Sequence, residues 1–118
     1  MTAITIYHNP RCSKSRAALA LLEENDISPE VVLYLDTPPD REQLEALLEK
    51  LNLGIRDILR RSEAEFEQFG LGDESLSEEI VFDIVAKHPR LIERPIVVRG
   101  DRAIIGRPPE KVLELIHD

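Results

Sequence analysis

Apolar and polar residues change their spacing several times along the chain, and each change predicts an element. Residues 3–7, Ala-Ile-Thr-Ile-Tyr, alternate and run into His8-Asn9-Pro10, which predicts a strand ending at a turn. From Ser13 the period becomes helical, with Ala18, Leu21 and Leu22 on one face and Glu23-Glu24-Asn25-Asp26 at the exit. Cys12 therefore falls at a strand-to-helix junction. Val31 to Leu35 reads as a second strand, closed by Thr37-Pro38-Pro39. Asp40 and Gln43 then form a capping box for a helix carrying Leu44, Leu47, Leu48 and Leu51 on one stripe.

The middle of the chain is helical and more broken. A short helical stretch through Ile55, Ile58 and Leu59 leads to a link at Gly70-Leu71-Gly72-Asp73. A further helix is expected from Ser77, with Glu78 and Glu79 in its first turn and Ile80, Ile84 and Val85 facing inward. After His88-Pro89 the texture returns to strand: Pro95-Ile96-Val97-Val98 and Ala103-Ile104-Ile105 flank Gly100-Asp101 as a hairpin. Pro108 and Pro109 open a last helix with Val112, Leu113 and Ile116. This order gives an α/β class with a mixed sheet.

The chain has 118 residues, enough for one ordinary domain and short for two. Fifteen Lys and Arg against 23 Asp and Glu leave a net charge of −8, which argues against general nucleic-acid or anionic-membrane binding. No apolar run approaches the ~20 residues of a membrane helix, and Met1-Thr2-Ala3-Ile4 does not begin a signal peptide, so a cytoplasmic address is expected. A single cysteine excludes an internal disulfide and a cysteine-rich zinc site. No histidine or carboxylate cluster has metal spacing, so no metal is expected. The absence of a heptad makes a monomer the simpler expectation.

A lone cysteine is ordinarily a small buried hydrophobe. The surroundings of this one, His8-Asn9-Pro10-Arg11-Cys12-Ser13-Lys14-Ser15-Arg16, are polar and cationic. At a helix N-terminus the unpaired N–H groups favour a thiolate, and Arg11, Lys14, Arg16 or His8 could add to that effect. The same junction suits an oxyanion, although no glycine-rich phosphate loop is present. Arg94 and Arg107 each precede a proline, which restricts their backbone, and Arg60 stands in an Arg60-Arg61 pair. His88 and His117 suit helix ends, and the acidic runs Glu42-Gln43-Leu44-Glu45 and Glu63 to Glu67 read as solvated helix faces.

Taken in register, Tyr7-His8-Asn9-Pro10-x-Cys12-x-x-Ser15-Arg16, Leu59-Arg60-Arg61, Gln68-Phe69-Gly70-Leu71, Arg94-Pro95-Ile96-Val97-Val98 and Arg107-Pro108 resemble the glutaredoxin-dependent arsenate reductases over nearly the whole chain. The resemblance implies a thioredoxin-like core over about 3–36 and 91–117, with a helical insertion over about 40–90. It implies that Cys12 is the catalytic thiol, that Arg60, Arg94 and Arg107 bind the oxyanion, and that His8 and Ser15 support the thiolate. It implies a cis peptide bond at Pro95, glutathione as co-substrate with no bound cofactor, and glutaredoxin as partner. The sequence departs from the family pattern in ending soon after the last helix, as a shorter branch, and in carrying Ser13-Lys14 where a Gly-Thr pair is expected. A regulatory or adaptor protein of the same superfamily, and glutathione-linked thiol chemistry on another substrate, stay open.

Overall fold

The computed structural model describes residues 3–116. It divides into two compact units, one built from Met1–Thr37 with Arg94–Asp118 and the other from Pro38–Glu93.

The first unit holds a four-stranded mixed sheet. Strand β1 (Ile4–Tyr7) leads to helix α1 (Ser13–Glu24) and returns as β2 (Glu30–Val32); β3 (Ile96–Arg99) and β4 (Arg102–Ile105) form the hairpin. The order across the sheet is β2-β1-β3-β4. β1 runs parallel to β2, with Ile6 opposite Val31, and antiparallel to β3, with Ile6 opposite Val97. Alternation in β1 sends Ile4 and Ile6 to the core. They pack with Ala18 and Leu22 of α1, Val97, and Val112 and Leu115 near the chain end. A 3-10 turn, Pro109–Val112, precedes the short helix α5 (Leu113–Ile116), so the last helix is split where a single one was expected. Gly100, at φ 63°, takes the left-handed position that lets two short strands join tightly.

Strand β2 is shorter than the Val31–Leu35 run predicted. The Leu33 carbonyl accepts from the amides of Asp36 and Thr37, both at 2.9 Å, and this turn ends the strand while burying Tyr34. His117 lies outside the described residues.

The second unit is helical: α2 (Arg41–Leu51), a 3-10 turn (Ile55–Ile58), α3 (Ala64–Gln68), α4 (Glu78–Lys87) and a second 3-10 turn (Pro89–Leu91). The Asp40–Gln43 capping box is formed in both directions, at 2.8 and 3.0 Å. Ser77 caps α4 by accepting from the Ile80 amide. The inward face of α4 is Val81, Phe82 and Val85; Ile80 is 47% exposed, which corrects its expected inward orientation. Consecutive apolar residues Ile80-Val81-Phe82 leave the register of the face undecided, and Arg41 stacking over Phe82 at 4.2 Å helps to select it. Arg56 donates to the Leu71 and Leu76 carbonyls and so ties the link between α3 and α4 to the Ile55–Ile58 turn.

Candidate active site

Helix α1 breaks the capping pattern of its neighbours. Both α2 and α4 begin with an oxygen side chain on a free amide and an acidic residue in the first turn. The N-cap of α1 is Cys12, extended at φ −98° and ψ 123°, and no acidic residue follows it in the first turn. Four amides at a helix start lack intrahelical partners, so the partial positive charge there is left for the sulfur or for a bound anion.

Cys12 is buried, and burial raises its pKa; that is the largest single influence on the sulfur. The Ser15 amide, the Arg94 charge, the Lys14 amide and an Arg94 hydrogen bond act the other way, and together they hold the thiol below its ordinary value. A thiol is a poor acceptor, and Cys12 makes no side-chain capping hydrogen bond as a neutral group. Its ionised form is the one these donors stabilise.

The cation at the sulfur is Arg94, from the segment entering β3, and not Arg11, Lys14, Arg16 or His8 as chain proximity suggested. Lys14 contributes through its backbone. Arg16 donates through Nη1 to the Pro10 carbonyl at 2.8 Å, and the Arg11 amide donates to Asn9 Oδ1 at 3.0 Å, so both shape the loop around Cys12. Arg94 is only 8% exposed, and its Nε and Nη1 have no hydrogen-bond partner. Buried guanidinium donors without acceptors are costly and uncommon. Two of them beside a thiol at a helix N-terminus are donors suited to an anion.

His8 and Ser15 are buried and bonded to each other, His8 Nδ1 to Ser15 Oγ at 2.6 Å. The Asn9 amide donates to the same hydroxyl oxygen at 3.0 Å. Burial, then the charge of Arg16, lowers the His8 pKa, so the ring is neutral near pH 7 and is no cationic partner for the thiolate. The Ser15 hydroxyl keeps one lone pair and its proton beside the Asn9 contact, so it meets Nδ1 in either tautomer of His8. The pair fixes the turn from β1 to α1, and Ser15 reaches Cys12 through its amide.

Cys12, His8, Ser15 and Arg94 thus come together in one unit. Arg107 is in the same unit, exposed, at the end of β4. The Arg94–Pro95 bond is cis, as the resemblance implied, and so is Arg107–Pro108, which nothing in the sequence marked. Arg60 belongs to the second unit, where its guanidinium pairs with Glu63 at 3.4 Å. Glu63 also meets Arg90 at 3.3 Å and is only 15% exposed, so it is part of a charge cluster rather than a solvated face. Among the described residues no group of three His, Cys, Asp or Glu could hold a metal ion, and no helix is long and apolar enough to cross a membrane.

The ArsC family model matches residues 7–115. An arsenate reductase of Neisseria meningitidis is 47% identical over 113 residues, covering 95% of this chain and 97% of that protein. An uncharacterized protein of Escherichia coli K12, YfgD, is 51% identical over 114 residues, covering 96% of each. The solved structure of an arsenate reductase from Vibrio cholerae superposes with a TM-score of 0.93 at 49% identity, covering 96% of this chain and 97% of that one. The family match spans the elements that carry Cys12, Arg60, Arg94 and Arg107, and the chain belongs to the ArsC family.

Proposed function

We propose that the chain is an arsenate reductase that works through a Cys12–arsenate adduct and takes its electrons from glutathione and glutaredoxin. The observation that carries this reading is the buried Arg94 guanidinium, with two donors unpartnered, beside a thiol held below its ordinary pKa. Its membership of a family whose relatives include arsenate reductases supports the same substrate.

Arsenate is largely a dianion near neutral pH. Arg94 and Arg107 supply guanidiniums that neutralise it and donate to its oxygens. The Cys12 thiolate attacks arsenic; an S–As bond forms, an As–O bond breaks, and the oxygen leaves as water after taking up two protons. Arsenic is still pentavalent. The thiol of glutathione then displaces a second oxygen, again as water. The glutaredoxin thiolate attacks the glutathione sulfur, and the As–S bond to glutathione breaks with its electron pair passing to arsenic. Arsenic is reduced by two electrons, and the sulfurs are oxidised to a glutaredoxin–glutathione disulfide. Water releases arsenite and restores Cys12. The sole cysteine of the sequence makes an external reductant necessary.

Phosphate has the same shape and charge but accepts no electrons from thiols, so it competes without turnover. The test is oxidation of NADPH through glutathione reductase in the presence of glutathione, glutaredoxin and arsenate. Wild-type protein is expected to turn over and to be slowed by high phosphate. Cys12→Ser is expected to lose turnover while retaining phosphate binding. No arsenate-dependent oxidation by the wild type, or substantial turnover by Cys12→Ser, would contradict the reading.

A further inference from the structure

We propose that Gly106 is a positioning residue, whose missing side chain lets the end of β4 close against Pro95 and so sets where Arg94 meets Cys12. This rests on the proposed role of Arg94 as the buried anion ligand.

Gly106 follows β4 and precedes Arg107. Its amide donates to the Pro95 carbonyl at 2.9 Å, so the backbone of 106 grips the residue immediately after Arg94. A Cβ at this position would stand 3.0 Å from Pro95 Cγ, 3.1 Å from Val112 Cγ1 and 3.6 Å from Ala18 Cβ. The first two distances are below ordinary van der Waals separation, and the neighbours must yield by a few tenths of an ångström. Among the three neighbours, Ala18 lies on the helix whose N-cap is Cys12, Pro95 adjoins Arg94, and Val112 belongs to the core of the same unit. Gly106 is thus the place where the element bearing the sulfur and the segment bearing its cation are brought together. Its left-handed freedom is not in use, since only Gly70 and Gly100 have positive φ among the glycines described; what is needed is space.

The two close contacts have separable consequences. Pressure on Val112 disturbs the core and registers as stability. Pressure on Pro95 moves Arg94 and registers at the site. A charge-assisted hydrogen bond is worth about tenfold in affinity, so a shift that weakens one of those Arg94 donates to phosphate costs severalfold. Gly106→Ala is compared with Gly106→Ala/Val112→Ala, in which the added methyl enters the space that the valine vacates, and with Val112→Ala alone. The readings are phosphate affinity by calorimetry, the pH midpoint of Cys12 alkylation, and thermal stability.

Gly106→Ala is expected to weaken phosphate binding severalfold and to move the alkylation midpoint up, towards that of an ordinary thiol. The double variant is expected to regain stability but to keep both site defects. Recovery of phosphate affinity and alkylation midpoint together with stability would show that the effect runs through the core and would overturn the proposal. So would a folded Gly106→Ala protein with both site readings unchanged. If the single variant fails to fold, the double variant measured against Val112→Ala decides between the same outcomes. None of these readings requires arsenate turnover, so wild-type turnover judges the proposed activity separately.

Discussion

Arg94→Met removes the guanidinium while keeping a long side chain in a buried position, and it separates the cost of the site from its benefit. Nε and Nη1 of Arg94 are buried without acceptors. Each unsatisfied donor costs about 1–3 kcal/mol, and a hydrogen bond to a charged group returns about 1.5–3 kcal/mol. Removing two donors at about 1.5 kcal/mol each, and losing one interaction of that size with the Cys12 thiolate, leaves a net stabilisation of about 1.5 kcal/mol for the anion-free protein. For a domain of this size that is a rise of about 6 °C in Tm. Wild-type protein gains about 2.7 kcal/mol from phosphate at 100 times its Kd. Arg94→Met should gain little. Differential scanning calorimetry with and without phosphate should therefore reverse the order of the two proteins: the variant melts higher without phosphate and lower with it. A variant that melts below wild type in anion-free buffer while retaining the full phosphate shift would refute both the strain at Arg94 and its role as anion ligand.

Other expectations concern the neighbours of Cys12. Ser15→Ala leaves His8 Nδ1 and the Asn9 amide without their partner, and should cost about 1–3 kcal/mol in denaturant unfolding while leaving the Cys12 alkylation midpoint nearly unchanged, because the Ser15 amide remains; a large shift in the midpoint would instead make the hydroxyl a direct partner of the sulfur. His8 has its pKa depressed on folding, so the unfolded chain takes up a proton first as pH falls. Stability should decline as pH drops below the ordinary histidine value and level off below the folded-state value. His8→Asn should flatten that slope, and an unchanged slope would contradict the assignment. Cys12 is also depressed, so its contribution to stability is fully present above the ordinary thiol pKa and is lost as pH falls through the folded one. Cys12→Ser should remove that dependence in urea melts taken across the interval.

Local signals made most of the first unit readable. Ile4 and Ile6 alternate in β1, Gly100 turns the hairpin, and Cys12 precedes a helical period in which Ala18 and Leu22 recur. The Asp40–Gln43 box and the Ser77 cap are chemical requirements of a helix start, and they mark α2 and α4 to the residue. Periodicity failed where apolar residues run together. Val31-Val32-Leu33-Tyr34-Leu35 does not show where hydrogen bonding to a neighbouring strand stops, and Ile80-Val81-Phe82 offers a helix two faces. At the site, nearness in sequence was a poor guide to nearness of charge. Arg11, Lys14 and Arg16 flank the thiol in the chain, yet Arg94 acts on it, because β3 lies beside β1 in the sheet. The family resemblance named Arg94; composition and spacing could only mark it as an arginine before a proline. Glu63 was hidden for a related reason, since nothing in Glu63-Ala64-Glu65-Phe66-Glu67 distinguishes the carboxylate that meets Arg60 and Arg90.

Arg94 and the first amides of α1 favour the charged form of Cys12 and hold its pKa below that of an ordinary thiol. Ultraviolet absorbance of the thiolate, followed against pH in the wild type with Cys12→Ser as the blank, tests this directly. A single transition is expected below that of an ordinary cysteine, moving upward in Arg94→Met. A transition at or above the ordinary value, or one that Arg94→Met leaves in place, would contradict it.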